Sequence, residues 1–235
     1  MLAIICSLEC EYDGIEKILE KREVCDLNGI EITKGYIGRV KALLVLSGIG
    51  CEKSSYCLRI LLEEYIIHTV LFVGMSGAVK QEIGLGDIIV SCNINKVGNK
   101  KEDCLKSDLN LSQLIYEQLR RNKIPLPKRI QKKRQYLFPD IYLADMITSN
   151  EPINNMKKRK SIADEYGAFC VDMESYAVAE AVIEKKCSFT AIRVISDMAD
   201  ENAFIYILRY QKELCEYLGL CISGLVKLIE EGGYI

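Results

Sequence analysis

"HTVLFVG", residues 68–74, is apolar at every position from Val70 to Val73 and ends on a glycine. A strand with one wet face alternates apolar and polar residues, so an unbroken apolar run reads as a strand covered on both faces. "LAIICS" (2–7), "KALLVLS" (41–47), "DIIVSC" (87–92) and "SFTAIRVIS" (188–196) also read as strands, several of them apolar throughout. Between them, "CEKSSYCLRILLEEY" (51–65), "LNLSQLIYEQLRRN" (109–122), "MESYAVAEAVIEKK" (173–186) and "IYILRYQKELCEYLGLCISGLVKLIEE" (205–231) carry helical periodicity. Strands alternating with helices predict an α/β sandwich with much parallel pairing.

The chain has 235 residues, enough for one large α/β domain, and no composition shift marks a linker, so residues 1–235 read as a single domain. Apolar residues make up 49% and charged residues 27%, with a net charge of −2. That balance offers no field to collect nucleic acid or an anionic membrane. The basic runs "PLPKRIQKKRQ" (125–135) and "KKRK" (157–160) read as solvated loops or helix faces. No apolar run reaches the roughly 18 residues of a membrane span, and the N-terminus lacks the pattern of a signal peptide. The expectation is a cytoplasmic protein.

Eleven cysteines are scattered without a C-x-x-C pair, and His68 is the single histidine. A tetrahedral zinc site would need remote thiolates, so no metal is expected. Most of the cysteines read as small buried hydrophobes in a reducing compartment. His68 precedes a strand and reads as structural, which leaves no partner for a Ser-His or Cys-His nucleophile.

Three glycine-bearing turns follow strands: "SGIGCEKSS" (47–55), "VGMSGAV" (73–79) and "IGLGD" (83–87). In open α/β sheets ligands sit at the carboxyl ends of strands, so these turns are candidate pocket walls. None fits G-x-G-x-x-G or a P-loop, which argues against a nicotinamide cofactor or ATP. "VDMES" (171–175) sets Asp172 and Glu174 two apart. In a strand both would face one way into a cleft, whereas at a helix start both would complement the macrodipole.

Four blocks, in order, resemble the nucleoside phosphorylase and nucleosidase superfamily, and within it the hydrolases of 5'-methylthioadenosine and S-adenosylhomocysteine. They are "IICSLECEYDGI" (4–15), "VLSGIGCEKSS" (45–55), "VLFVGMSGAVKQEIGLGDIIVS" (70–91) and "VDMESYAVAEAVIEKKCSFTAIRVISDMAD" (171–200). The resemblance implies a three-layer αβα sandwich with a central mixed, largely parallel sheet, no cofactor, a small-molecule purine nucleoside as substrate and a homodimer. It also implies catalytic roles. Asp197 would protonate the departing purine, and Glu11 would activate water. Glu174 would bind the ribose hydroxyls, with Met173 beside the sugar, and Ile49, Met75, Ser76, Ile153, Arg193 and Ser196 would border the substrate. A carboxylate at the Glu11 position repels phosphate, which favours hydrolysis over phosphorolysis. Arg193 has a second reading, a strand-end ion pair with Glu11 or Glu174.

The chain departs from the resemblance in three places, one being Asp172 where a glutamate is commoner. Met75 stands where the hydrolases usually have a serine near the nucleophile, and a thioether cannot donate a hydrogen bond to water. "TSNEPIN" (148–154) lacks the aromatic residue that stacks on adenine. A phosphate-dependent purine nucleoside phosphorylase and a non-catalytic nucleoside-binding protein of the same fold are the alternatives.

Overall fold

Ten strands and seven helices alternate along the computed structural model, which describes residues 1–234. The chain runs β1 (Leu2–Cys6), α1 (Glu9–Glu16), β2 (Glu20–Leu27), β3 (Ile30–Ile37), β4 (Val40–Leu46), α2 (Cys51–Glu64), β5 (Thr69–Ala78) and β6 (Ile88–Lys96). It continues with β7 (Leu105–Lys106), α3 (Leu109–Asn122), α4 (Lys128–Arg134), β8 (Ile141–Thr148), α5 (Met156–Tyr166) and β9 (Cys170–Asp172). The last elements are α6 (Ser175–Glu184), β10 (Ser188–Asp197) and α7 (Ala203–Glu231).

The unbroken apolar run of the sequence becomes the centre of the sheet, and every residue of β1 and β5 is buried. β1 pairs in parallel with β4 and β5, and β5 in parallel with β10. β6 meets β10 antiparallel, pairs in parallel with β8, and β8 pairs in parallel with β9. β9 then returns to β5 antiparallel, so β5, β10, β6, β8 and β9 close a ring at one side of a mixed sheet.

Two apolar layers cover the sheet. On one side α1, α3 and α7 pack on Leu44, Leu71, Val90 and Ile192. On the other, α2 and α6 pack on Leu43, Phe72, Ile89 and Ile195. α7 presents Tyr210, Leu214, Leu218, Ile222, Leu225 and Ile229 at three- and four-residue intervals, all buried. Each such side chain contributes about 1.5–3 kcal/mol when fully buried. No helix among the described residues is long and apolar enough to cross a membrane.

Three sequence expectations need correction. "VGMSGAV" is no turn: β5 continues to Ala78, and neither Gly74 nor Gly77 has a positive φ. The helix expected from residue 173 starts at Ser175, leaving Met173 and Glu174 in the turn before it. The basic run at 125–135 does form a helix, α4, but is not solvated throughout, because Arg134 folds back onto the buried Asp87.

Candidate active site

The carboxyl ends of β1, β4, β5, β9 and β10 converge, and each delivers part of one polar cluster. After β1 the chain turns into α1, and Glu11 in its first turn folds back on the strand end. Glu11 Oε2 accepts from the backbone N–H of Ser7 at 3.0 Å and of Leu8 at 3.1 Å. Its Oε1 accepts from Met75 N–H at 2.7 Å. Beside that bond lies Gly74, where a Cβ would fall on Arg193 Nη1 and lie 2.6 Å from Glu11 Oε1. The missing side chain therefore lets the carboxylate and the guanidinium close directly onto the strand backbone.

β10 brings the arginine and the third acid. Arg193 is buried over the Phe72 ring, 3.9 Å from its centroid, and forms an ion pair with Asp172 through Nη2 at 2.8 Å and Nε at 3.0 Å. Four residues on, the register with β5 slips by one, which turns Asp197 to face Gly77. A Cβ on Gly77 would lie 2.9 Å from Asp197 Oδ1. Ser196 Oγ donates to Asp197 Oδ2 at 2.7 Å, and Ala199 N–H to Oδ1 at 2.8 Å.

The two acids of "VDMES" have separate tasks. Asp172 is structural: its Oδ1 accepts from Thr148 Oγ1 and from the N–H groups of Glu174 and Ser175, and its Oδ2 takes Arg193 and Ser175 Oγ. It thus caps α6 and neutralises the arginine, and it, not Glu11 or Glu174, is the partner of Arg193. Glu174 points across to the "SGIG" turn, where Gly50 N–H donates to Oε1 at 2.8 Å. Gly50 has φ 96°, a conformation open to glycine, and stands at the start of α2.

Burial decides the protonation chemistry. It pushes the Glu11 carboxyl up, against Arg193 and three backbone N–H groups that stabilise the anion. It also pushes Asp197 up, against the bonds from Ser196 and Ala199. Glu174 rises to about 7, through burial first and the neighbouring Asp172 charge second. A carboxyl raised by burial holds a proton more tightly, the direction that favours both a proton-accepting base and a protonated general acid.

Other expected site residues are placed as follows. Met173 is half-buried beside Glu174, and its carbonyl accepts from Cys51 Sγ at 3.3 Å. Ser76 is buried, with a hydroxyl that has no partner among the described residues. Ile49 is exposed and borders a cavity next to the cluster. Ile153 is buried with Val79, Val171 and Ala199 in a small apolar cluster behind Asp197.

Met75 requires a correction. Its side chain belongs to the apolar layer under α1 and α7, and only its backbone N–H serves Glu11. The thioether is packed in the core, where the sequence reading had it facing the nucleophile. Met75→Ser therefore costs stability, about 2–5 kcal/mol for a buried methionine cut to a small side chain. Urea denaturation measures the loss; a variant of unchanged stability would show that the side chain is not packed there.

His68 lies at the opposite end of β5, its Nδ1 2.6 Å from the Met1 amine. The sequence reading also missed Arg159, which sits in the run taken as solvated. Its Nε and Nη2 donate to the carbonyls of Val79 and Lys80, tying α5 to the end of β5. Among the described residues, no three His, Cys, Asp or Glu side chains are grouped to hold a metal ion.

A family model described as the phosphorylase superfamily matches residues 1–211. The chain belongs to that superfamily. A 5'-methylthioadenosine/S-adenosylhomocysteine nucleosidase of Staphylococcus epidermidis is 28% identical over 98% of this chain and 99% of its own. Among solved structures, a putative nucleosidase of the same description from Borrelia burgdorferi, bound to adenine, superposes with a TM-score of 0.82 at 24% identity, covering 97% of this chain and 100% of that one. A futalosine hydrolase mutant of Helicobacter pylori superposes with a TM-score of 0.80 at 16% identity over 98% of both chains. The superfamily fold is thus shared along nearly the whole chain, including the strand ends that carry Glu11, Glu174, Arg193 and Asp197.

Proposed function

We propose that the protein hydrolyses the N-glycosidic bond of a purine nucleoside, with a 5'-substituted adenosine such as 5'-methylthioadenosine or S-adenosylhomocysteine as substrate. The observation that carries this reading is the charge of the site. Four buried carboxylates, Glu11, Asp172, Glu174 and Asp197, surround one guanidinium that is already paired with Asp172. Such a site disfavours a phosphate dianion beside Glu11, whereas neutral water carries no such penalty there.

In this reading Glu11 deprotonates the attacking water. Asp197 gives its proton to the leaving purine. Glu174 accepts from the ribose hydroxyls, whose acidity rises as the ring gains oxocarbenium character. A cavity of about 490 Å³, bordered by Ser7, Leu8, Gly48 and Ile49, adjoins the residues that anchor Glu11 and Glu174. Its place suits a substituent on the 5' carbon. The names carried by the relatives support the same substrate class.

The reading includes a reducing, cytoplasmic setting, supported by eleven free thiols. It also includes a homodimer, supported by the exposed apolar side chains Tyr56 on α2, Ile66 just after it and Ile183 on α6. Sedimentation tests the dimer. Incubation with a panel of purine nucleosides, followed by identification of the free base, tests the activity; release of no base from any of them would contradict it.

Glu174 couples function to stability. Its carboxyl moves from 4.5 to about 7 on folding. Between those values the folded chain binds more protons than the unfolded one, so stability falls as pH rises through that window. The loss has an upper bound of about 3 kcal/mol. Glu174→Gln cannot ionise and escapes it, so the variant should melt above the wild type near about pH 8, with the gap closing towards about pH 5. It should meanwhile lower turnover. Melting curves at the two pH values check this; a gap independent of pH would show that Glu174 is not held near neutrality.

A further inference from the structure

The cavity that adjoins the anchors of Glu11 and Glu174 combines an apolar wall with a charged rim. Leu8, Leu46 and Ile49 supply the wall, and Glu9, Lys53 and Gln211 stand around them. Glu9 opens α1, Lys53 lies in the first turn of α2, and Gln211 comes from α7. Acid and cation thus reach the cavity from different elements. Both are exposed, and among the described residues neither takes part in an ion pair, with the other or with a third group.

The other two polar contacts of the rim are defined. The Lys53 stem lies over the "SGIG" turn, where a Cβ on Gly48 would be 3.1 Å from Lys53 Cδ. Gly48, with φ 77°, has no side chain to push that stem away. Gln211 is half-buried, and its Oε1 accepts from Cys10 Sγ at 3.9 Å, which leaves its NH₂ to donate elsewhere.

Charge decides what such a cavity selects. A substituent ending in an anion alone would meet Lys53 but also Glu9, and one ending in a cation alone would meet the reverse conflict. A methylthio group would touch the wall and leave both charges to water, filling only a small part of about 490 Å³. A zwitterion on an apolar stem complements wall and rim together.

We propose that Lys53 and Glu9 bind the α-carboxylate and α-ammonium of an amino-acid substituent on the 5' carbon, so that S-adenosylhomocysteine is preferred over 5'-methylthioadenosine. The thioether and methylene groups lie along Leu8, Leu46 and Ile49, and the Gln211 NH₂ adds a second donor to the carboxylate. This preference rests on the hydrolase reading.

Adenine release is measured on the full chain with four substrates: S-adenosylhomocysteine, its analogue without the carboxylate, its analogue without the amine, and 5'-methylthioadenosine. The expected kcat/KM is highest for S-adenosylhomocysteine, about tenfold above 5'-methylthioadenosine, with each analogue in between. Added salt should narrow the gap, because exposed charges are screened. Lys53→Glu should lower the ratio of S-adenosylhomocysteine to 5'-methylthioadenosine about tenfold, and the carboxylate-free analogue should escape that loss. Glu9→Gln should lower the same ratio a few-fold and spare the amine-free analogue. Equal kcat/KM for the two natural substrates, or a ratio that Lys53→Glu does not move, would overturn the preference while adenine release upheld the hydrolase reading. Release from none of the four would overturn both.

Discussion

Asp197→Asn lowers nucleoside turnover by roughly 10²–10⁴-fold, the range for loss of a general acid. The substitution keeps the shape of the side chain and an oxygen for Ala199 N–H, so the bond that fixes its orientation survives. What is lost is the ionisable carboxyl, whose hold on a proton burial strengthens. The defect should therefore fall on the chemical step, with substrate affinity changed little, and it should shrink for nucleosides whose base leaves easily without protonation. Steady-state kinetics on a slow- and a fast-leaving base separate the two effects. Equal losses on both would remove Asp197 from the proton transfer.

Glu11→Gln should be as damaging, for two distinguishable reasons. The amide cannot take a proton from water, which alone costs on the order of 10²-fold or more. The wild-type carboxylate also accepts three backbone N–H bonds, from Ser7, Leu8 and Met75. A glutamine must turn its NH₂ towards one set of these donors, leaving one or two buried N–H groups unpaired at about 1–3 kcal/mol each. Glu11→Gln is thus expected to be both slow and less stable, whereas Asp197→Asn is expected to be slow only. A thermal melt beside the kinetics tells the two variants apart. If Glu11→Gln kept near-normal turnover, Glu11 would not be the base.

The parts of this site that were legible in the sequence are those fixed by local pattern. The buried strands announced themselves as unbroken apolar runs, and the four blocks marked the strand ends bearing Glu11, Glu174, Arg193 and Asp197. What stayed hidden depends on pairing at a distance. Gly74 and Gly77 read as turn residues because glycine punctuates turns. Their reason is steric: they face Arg193 and Glu11 in one case and Asp197 in the other, and no local window contains both partners. The Arg193–Asp172 pair spans 21 residues and two strands, so a strand-end arginine could as well have met either glutamate.

The β2–β3 hairpin was missed although its signal was present. Asn28-Gly29 sits between the strands with φ values of 55° and 82°, as a type I′ turn needs. β2 is almost wholly exposed and so has no apolar alternation to mark it as a strand. The ring closed by β9 returning to β5 could not be read at all, since β9 has only three residues.

Hydrolysis against phosphorolysis is decided most directly by following oxygen. The wild-type enzyme is given 5'-methylthioadenosine in oxygen-labelled water with phosphate in large excess, and the sugar product is identified by mass. If Glu11 delivers water within a site of four carboxylates and one paired guanidinium, the label appears in free 5-methylthioribose and phosphate leaves the rate unchanged. Accumulation of an unlabelled sugar 1-phosphate, at a rate that climbs with phosphate, would contradict it.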